Sequence, residues 1–168
     1  MKKLIISLLA IGLTIPLFSQ VINDGMLDEV VVKATNYKYL NETGTREAAV
    51  SVNLLQKEVA NYDLQEADFY QDDYDFYTVN FFIPDGKVVA AYDKDGHILR
   101  TIEKYNNVAL PVDVRDAVAK RFPGWGIYED VYRITYNQDK GAKKTFKLTL
   151  VNGDKKMRVK LDENGAFL

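Results

Sequence analysis

The clearest pattern in the chain is a series of short runs in which apolar residues alternate with other residues. Alternation with period two is typical of strands that bury one face of a sheet. The pattern predicts strands near 66–70, 75–83, 87–92, 98–104, 127–136, 145–151 and 156–161, with a short end at Phe167. Turn signals rich in Gly, Asp and Asn lie between most of these runs, for example at 93–96 and 163–165, and they favour antiparallel hairpins.

Two other stretches have helical spacing. Val114, Val118 and Phe122 recur at intervals of four; Pro111 suits the first turn of a helix there, and Pro123-Gly124 ends it. An earlier stretch, from about residue 45 to 62, also carries apolar residues at helical spacing. Three or four predicted strands follow each helix.

The two sets of strands repeat at an offset of 69 residues. Residues 77–82 lie over 146–151, and residues 88–93 lie over 157–162 without a gap. We therefore predict an α+β fold of two tandem units, at about 45–105 and 106–168, each a helix packed on an antiparallel β-meander. Because the joint at Asn106-Asn107 is short, the units are expected to form a single domain over 45–168.

Four segments carry a resemblance to a known family. They read VVAAYDKDG at 88–96, LPVDV at 110–114, FPGW at 122–125 and VKLDENG at 159–165. Together they resemble the PepSY-like proteins of the bacterial envelope, which are grouped with the beta-lactamase-inhibitor-like fold. The resemblance spans roughly 75–168. It implies tandem helix-plus-sheet units in the periplasm, with an open sheet face able to hold a protein partner, and it brings no catalytic residues.

The N-terminus indicates export. Lys2 and Lys3 precede an apolar run at 4–18, and Ser19 is a small residue suited to a cleavage site, so residues 1–20 are predicted to be a signal peptide. The mature protein is then periplasmic or secreted, without stable membrane insertion. Residues 21–44 are predicted to be an N-terminal extension or edge strand. Within them, LDEVVV at 27–32 is similar to a segment near the plug of TonB-dependent receptors, although an edge strand explains it more simply.

Charge and composition restrict the function further. Residues 1–20 hold two of the 22 basic residues and none of the 24 acidic ones, so the mature chain has a formal net charge of −4. That balance argues against a nucleic-acid partner. The chain has no Cys, so its stability must come from packing.

No pattern for catalysis or for a cofactor is present. Beyond residue 20 the chain has one Ser (Ser51) and one His (His97), and no nucleophile motif surrounds Ser51, so we predict neither a catalytic nor a metal site. The turn at 93–96 resembles part of a calcium loop, but Ala91 occupies the first ligand position. A calcium- or small-ligand-responsive sensor that uses the acidic turns, which include the run at 66–75, remains the alternative hypothesis. A hydrolase that works through paired carboxylates is a third, but no pair stands out.

The leading hypothesis is a non-enzymatic module that binds an unidentified envelope protein or peptide through its open sheet face. In the second unit, alternation places a set of basic residues on that face, where they would attract an acidic partner. The corresponding positions of the first unit, which include Thr78, Asn80, Val89 and Ala91, are neutral. Basic and aromatic candidates for contact with the partner are Lys147, Lys156, Arg158, Lys160, Trp125, Tyr128, Tyr132 and Tyr136.

Overall fold

The structure is a computed structural model that describes residues 36–45 and 47–168. The described helices are α1 (Tyr37–Thr43), α2 (Val50–Ala60) and α3 (Val112–Arg121). The described strands are β1 (Phe76–Ile83), β2 (Gly86–Asp93), β3 (Ile98–Asn106), β4 (Gly126–Asn137), β5 (Gly141–Asn152) and β6 (Lys155–Asp162). The predicted α+β class is confirmed. The predicted signal peptide and the segment at 27–32 lie outside the described residues.

The six strands form one antiparallel meander in the order β1-β2-β3-β4-β5-β6. Each described strand pairs with the strand that follows it in the chain, so β1 and β6 are the edges of the sheet formed by the described residues. Alternate side chains along each strand point to opposite faces. On one face they join buried residues of the three helices in a single apolar core, which includes Val59 of α2, Val114 of α3 and Leu148 of β5.

The other face, which we call the open face, carries the polar alternates of the same strands. Its side chains are exposed or half-exposed at most positions, and its members can be read from the strand registers. They include Phe76, Thr78, Asn80, Phe82, Lys87, Val89, Ala91, Arg100, Ile102, Lys104, Glu129, Val131, Arg133, Thr135, Lys143, Thr145, Lys147, Thr149, Lys156, Arg158, Lys160 and Asp162.

One predicted element is corrected. The strand predicted at 66–70 is a run of turns, because the Asp63 carboxylate accepts the N–H groups of Gln65 and Glu66 and bends the chain there. The N-terminal extension or edge strand at 21–44 stays a prediction, because only residues 36–44 of that segment are described. Within them, Tyr37–Thr43 form α1, which packs on β4 and β5. Its anchor is Tyr39, which is buried edge-on against Tyr136 of β4 with 5.4 Å between the ring centroids.

A buried carboxylate ties two helices to the sheet. Glu103 of β3 has no exposed surface, and its two oxygens accept four hydrogen bonds of 2.8–3.0 Å. Two of the donors, Tyr39 of α1 and Gln56 of α2, come from the helices, while Thr101 and Tyr105 are on β3 itself. Burial raises the pKa of Glu103 above its ordinary value, although all four hydrogen bonds act to lower it.

The turns that follow β2 and β6 share one geometry at the offset of 69 residues. The Asp93 carboxylate accepts the N–H groups of Asp95 and His97, and the Asp162 carboxylate accepts those of Asn164 and Ala166. The order of elements would instead match β1 with β4, because β1 follows the helix α2 and β4 follows the helix α3. The offset instead pairs β1 with β5. The tandem organisation of whole units therefore stays a prediction.

Candidate functional site

The most distinctive surface of the described residues is a group of cations on the open face, which we call the cationic face. Its members, contributed by five neighbouring strands, are Lys87, Lys104, Arg133, Lys147, Arg158 and Lys160. The strand registers set their spacing. Lys104 lies directly opposite both Lys87 on β2 and Arg133 on β4, and Lys147 lies directly opposite Lys160. Cross-strand neighbours of this kind are about 4.5–5.5 Å apart at their Cβ atoms.

None of these cations forms an ion pair with an acidic side chain of the described residues. The close contacts between basic and acidic side chains in that part of the chain join His97 to Asp93 and Lys144 to Glu163, and neither involves the cationic face. Like charges placed directly opposite each other destabilise a sheet. We therefore expect this arrangement to reduce the folding stability of the protein.

Five members of the cationic face also line a groove with a volume of about 590 Å³. They are Lys104, Arg133, Lys147, Arg158 and Lys160. The groove lining also includes the buried Asp130, which is held at the junction between β3 and α3 because its carboxylate accepts the N–H of Val108 at 3.3 Å. Burial raises the pKa of Asp130 to about 6.

Most of the predicted basic contact residues are exposed on this surface. Lys147, Arg158 and Lys160 belong to the cationic face, and Lys156 lies beyond it on β6. The ammonium of Lys156 is 4.6 Å from the ring centroid of Tyr128, a cation–π contact, and 59% of Tyr128 is exposed. The structure therefore groups the four predicted basic residues with one predicted aromatic residue.

The other three predicted aromatic contact residues are less exposed than Tyr128. Tyr132 and Tyr136 are only 4% and 3% exposed, so the structure presents neither ring on the surface where a partner would dock. They point to the core side of β4, where Tyr132 stacks on Phe146 with 4.4 Å between ring centroids. Trp125 is half-buried and packs against the core just before β4, with its backbone N–H donated to Phe122.

Sequence reasoning missed Lys87, Lys104 and Arg133. Alternation along β3 and β4 was a sufficient signal to place Lys104 and Arg133 on one side of their strands. Their contact depends on β3 pairing with β4, and 19 residues that include α3 separate these two strands in the chain. Without knowledge of that pairing, the sequence does not show that Lys104 of the first half lies opposite Arg133 of the second half.

The other half of the open face carries exposed apolar residues beside the positions that were predicted to be neutral. Thr78 and Asn80 are exposed as expected, but Phe76, Phe82 and Ile102 are exposed on the same face. The first half of the sheet therefore presents an apolar surface beside the cationic one.

The acidic turn after β2 brings together three groups of a type that binds metals. Oxygen or nitrogen atoms of Asp93, Asp95 and His97 lie within 4.8 Å of one another. The structure also gives these groups a local role, since one Asp93 oxygen accepts two backbone N–H groups and the other lies 3.1 Å from His97 Nδ1. These contacts complete the turn without an ion.

Comparison with known proteins gives little further guidance. No family model matches the chain, and no curated protein matches it. A BLIP-like protein from Bacteroides fragilis is similar in structure, with 19% identity, coverage of 58% of this chain and 68% of that chain, and a TM-score of 0.31. This similarity is too distant to carry a conclusion about this chain, whose α+β class rests on the helices and strands described above. None of the described helices is long and apolar enough to cross a membrane.

Proposed function

We propose that this protein is a non-enzymatic binding module of the bacterial envelope, periplasmic or secreted, that recognises an acidic segment of a protein or peptide through the cationic face. The observation that carries the proposal is the direct opposition of Lys104 to Arg133 and of Lys147 to Lys160, without an acidic partner in the described residues. An acidic segment laid across these strands would neutralise both pairs.

A role in solubility explains only part of this arrangement. Lysines on an edge strand prevent unwanted pairing with other strands, and this suffices for Lys156 and Lys160 on β6. Lys104 and Arg133 lie on β3 and β4, which are paired on both sides. An inner strand needs no such protection, so the repulsion between these two residues points to a ligand.

The geometry favours an extended acidic ligand. The cations are distributed over five strands, and neighbouring strands are about 4.8 Å apart, so the cationic face is nearly 20 Å wide. Tyr128 and Lys156 would contact the partner at the margin of this face, with Trp125 close to them in the chain. We further propose that residues 1–20 are a signal peptide that exports the chain, and that the mature protein has the two-unit, PepSY-like organisation.

The test is affinity capture from an envelope extract with the exported, C-terminally tagged chain. The charge-reversed variant K147E/R158E/K160E is compared with K57E/R115E/K120E, which makes the same change in net charge at exposed positions of α2 and α3. Native protein and the helix variant should retain the same partner, and the sheet variant should lose it. Capture should also weaken between about 0.05 and 0.5 M salt, because the screening length falls to about 4 Å.

Two results would contradict the proposal. If the sheet variant captures the same protein as the native chain, the cationic face is not the binding surface. If the helix variant loses the partner as well, net charge rather than this face determines capture.

A further inference from the structure

The two edges of the sheet are built in opposite ways. β6 carries five charged residues among eight, and after the following turn the chain comes back along its outer side, where Phe167 bridges to Leu161 and the Leu168 N–H is donated to the Lys160 carbonyl. β1 has the sequence FYTVNFFI and no charged residue, and among the described residues it pairs only with β2. A long, uncharged, apolar edge strand presents free backbone groups that another strand can bind.

The sequence of β1 is nearly symmetric about its centre. On either side of Val79 come a polar residue, then an aromatic residue, then a second aromatic residue. When two identical strands pair antiparallel, the open-face residues of one strand lie opposite the open-face residues of the other only in every second register, because a shift of one residue exchanges the two faces. Pairing Val79 with Val79 of a second copy meets that condition.

This register matches each residue to a suitable neighbour. On the open face, Phe76 would lie opposite Phe82 of the second copy, and Thr78 would lie opposite Asn80. On the core face, Tyr77 would lie opposite Phe81. Aromatic pairs across strands are among the more stabilising ones, and no like charges face each other.

The exposed apolar surface is also concentrated at this edge. Phe76 is 68% exposed and Phe82 is 70% exposed, while Phe69 and Tyr74, whose rings lie beside Tyr77, are 48% and 54% exposed. A whole aromatic side chain has a surface of about 200 Å². Burial of the exposed fractions of these four side chains would therefore cover about 500 Å² per protomer. The total of about 1,000 Å² is at the lower limit for a specific interface, so the affinity should be modest.

We propose that β1 is a dimerisation edge, at which two copies of this chain pair antiparallel about Val79 to form a continuous twelve-stranded sheet. The two-fold axis would run perpendicular to the sheet, so both cationic faces would lie on the same side. Such a dimer would be bivalent toward an acidic partner. The pairing itself depends on none of the residues of the cationic face.

The test uses sedimentation velocity on the exported, tagged chain over about 10 to 500 µM, a range suited to modest affinity. In the proposed register, the variant T78K/N80K sets a lysine of one copy against a lysine of the other, whereas T78K/N80E sets a lysine against a glutamate. Both positions are exposed in the monomer, and a thermal melt checks that each variant is folded. The control T135K/N152K adds two lysines at exposed positions away from β1.

Native protein and the control should shift from monomer toward dimer as the concentration rises. T78K/N80K should stay monomeric, and T78K/N80E should dimerise at least as well as native protein. The proposal is overturned if the native chain stays monomeric at the highest concentration, which would be the result if another segment, such as 27–32, or a different partner occupied the edge. It is also overturned if T78K/N80K dimerises like the native chain or if T78K/N80E fails to dimerise.

Discussion

Replacing Glu103 with Leu should strongly destabilise the protein, because it removes the acceptor of four buried hydrogen bonds at once. Leu is similar in size but leaves the Tyr39 and Tyr105 hydroxyls, the Thr101 hydroxyl and the Gln56 amide without their partner. Each buried polar group left unpaired costs about 1–3 kcal/mol. Relief from burying a carboxylate and rotation of the hydroxyls offset part of this cost, so we expect a net loss of about 3–5 kcal/mol.

The assay is urea unfolding followed by the fluorescence of Trp125, the single tryptophan of the chain. Domains of this size are stable by about 5–15 kcal/mol and lose about 2 kcal/mol of that stability per molar urea. A loss of about 3–5 kcal/mol should therefore lower the urea midpoint by about 2 M. Hydrogen exchange should show the loss of protection first in α1 and α2, because Tyr39 and Gln56 connect these helices to Glu103.

Glu103→Gln is the matched comparison. It keeps the shape and one carbonyl acceptor, and the hydroxyls around it can turn to accept from the new amide, so it should cost only about 1 kcal/mol. The pKa of Glu103 is raised in the folded state, so its contribution to stability is fully present below the unfolded pKa of about 4.3 and is lost as the pH rises through the folded pKa. The cost of Glu103→Gln should therefore shrink from pH 4 to pH 8. A Leu variant as stable as native protein would refute this account of the network.

The remaining predictions concern the groove, the cationic face and the acidic turn. Burial raises the pKa of Asp130 to about 6, so native stability should fall by about 2 kcal/mol between pH 4 and pH 7, and Asp130→Asn should remove that part of the pH profile; an unchanged profile would contradict the assignment. Lys160→Thr should stabilise the protein by about 0.5 kcal/mol at low salt by relieving the repulsion from Lys147, and the gain should vanish near 1 M salt; a loss of stability at low salt would count against repulsion. Calcium at about 5 mM should leave the melting temperature unchanged, because backbone N–H groups and His97 already engage the Asp93 carboxylate; a rise of several degrees would favour the calcium-sensor hypothesis.

The strands could be predicted from the sequence because a sheet with one buried face imposes strict alternation on every strand. β1 to β6 each lie within a few residues of their predicted bounds. The helix α1 could not be predicted, since only Tyr39 and Thr43 of its seven residues are buried and its first turn carries no acidic residue. The network of Glu103 was also beyond prediction, because its helical partners Gln56 and Tyr39 lie 47 and 64 residues away in the chain.

The candidate site was predicted in part for a related reason. Lys147, Arg158 and Lys160 alternate with core residues on a single hairpin, so local sequence places them together. The exposure of Tyr128 and the burial of Tyr132, four residues later, could not be distinguished by alternation. The difference arises because the register of β4 against β5 shifts at a bulge between Ile127 and Glu129, at the end of the sheet.

Site-specific photo-crosslinking tests the binding proposal most directly, because it locates the partner without removing any charge from the cationic face. A benzophenone side chain is placed either at Thr149, between Glu129 and Arg158 on the open face, or at Asp116 on the exposed side of α3. After irradiation in an envelope extract, the account predicts a partner adduct from position 149 and none from position 116. An adduct from position 116 alone, or equal adducts from both, would contradict it.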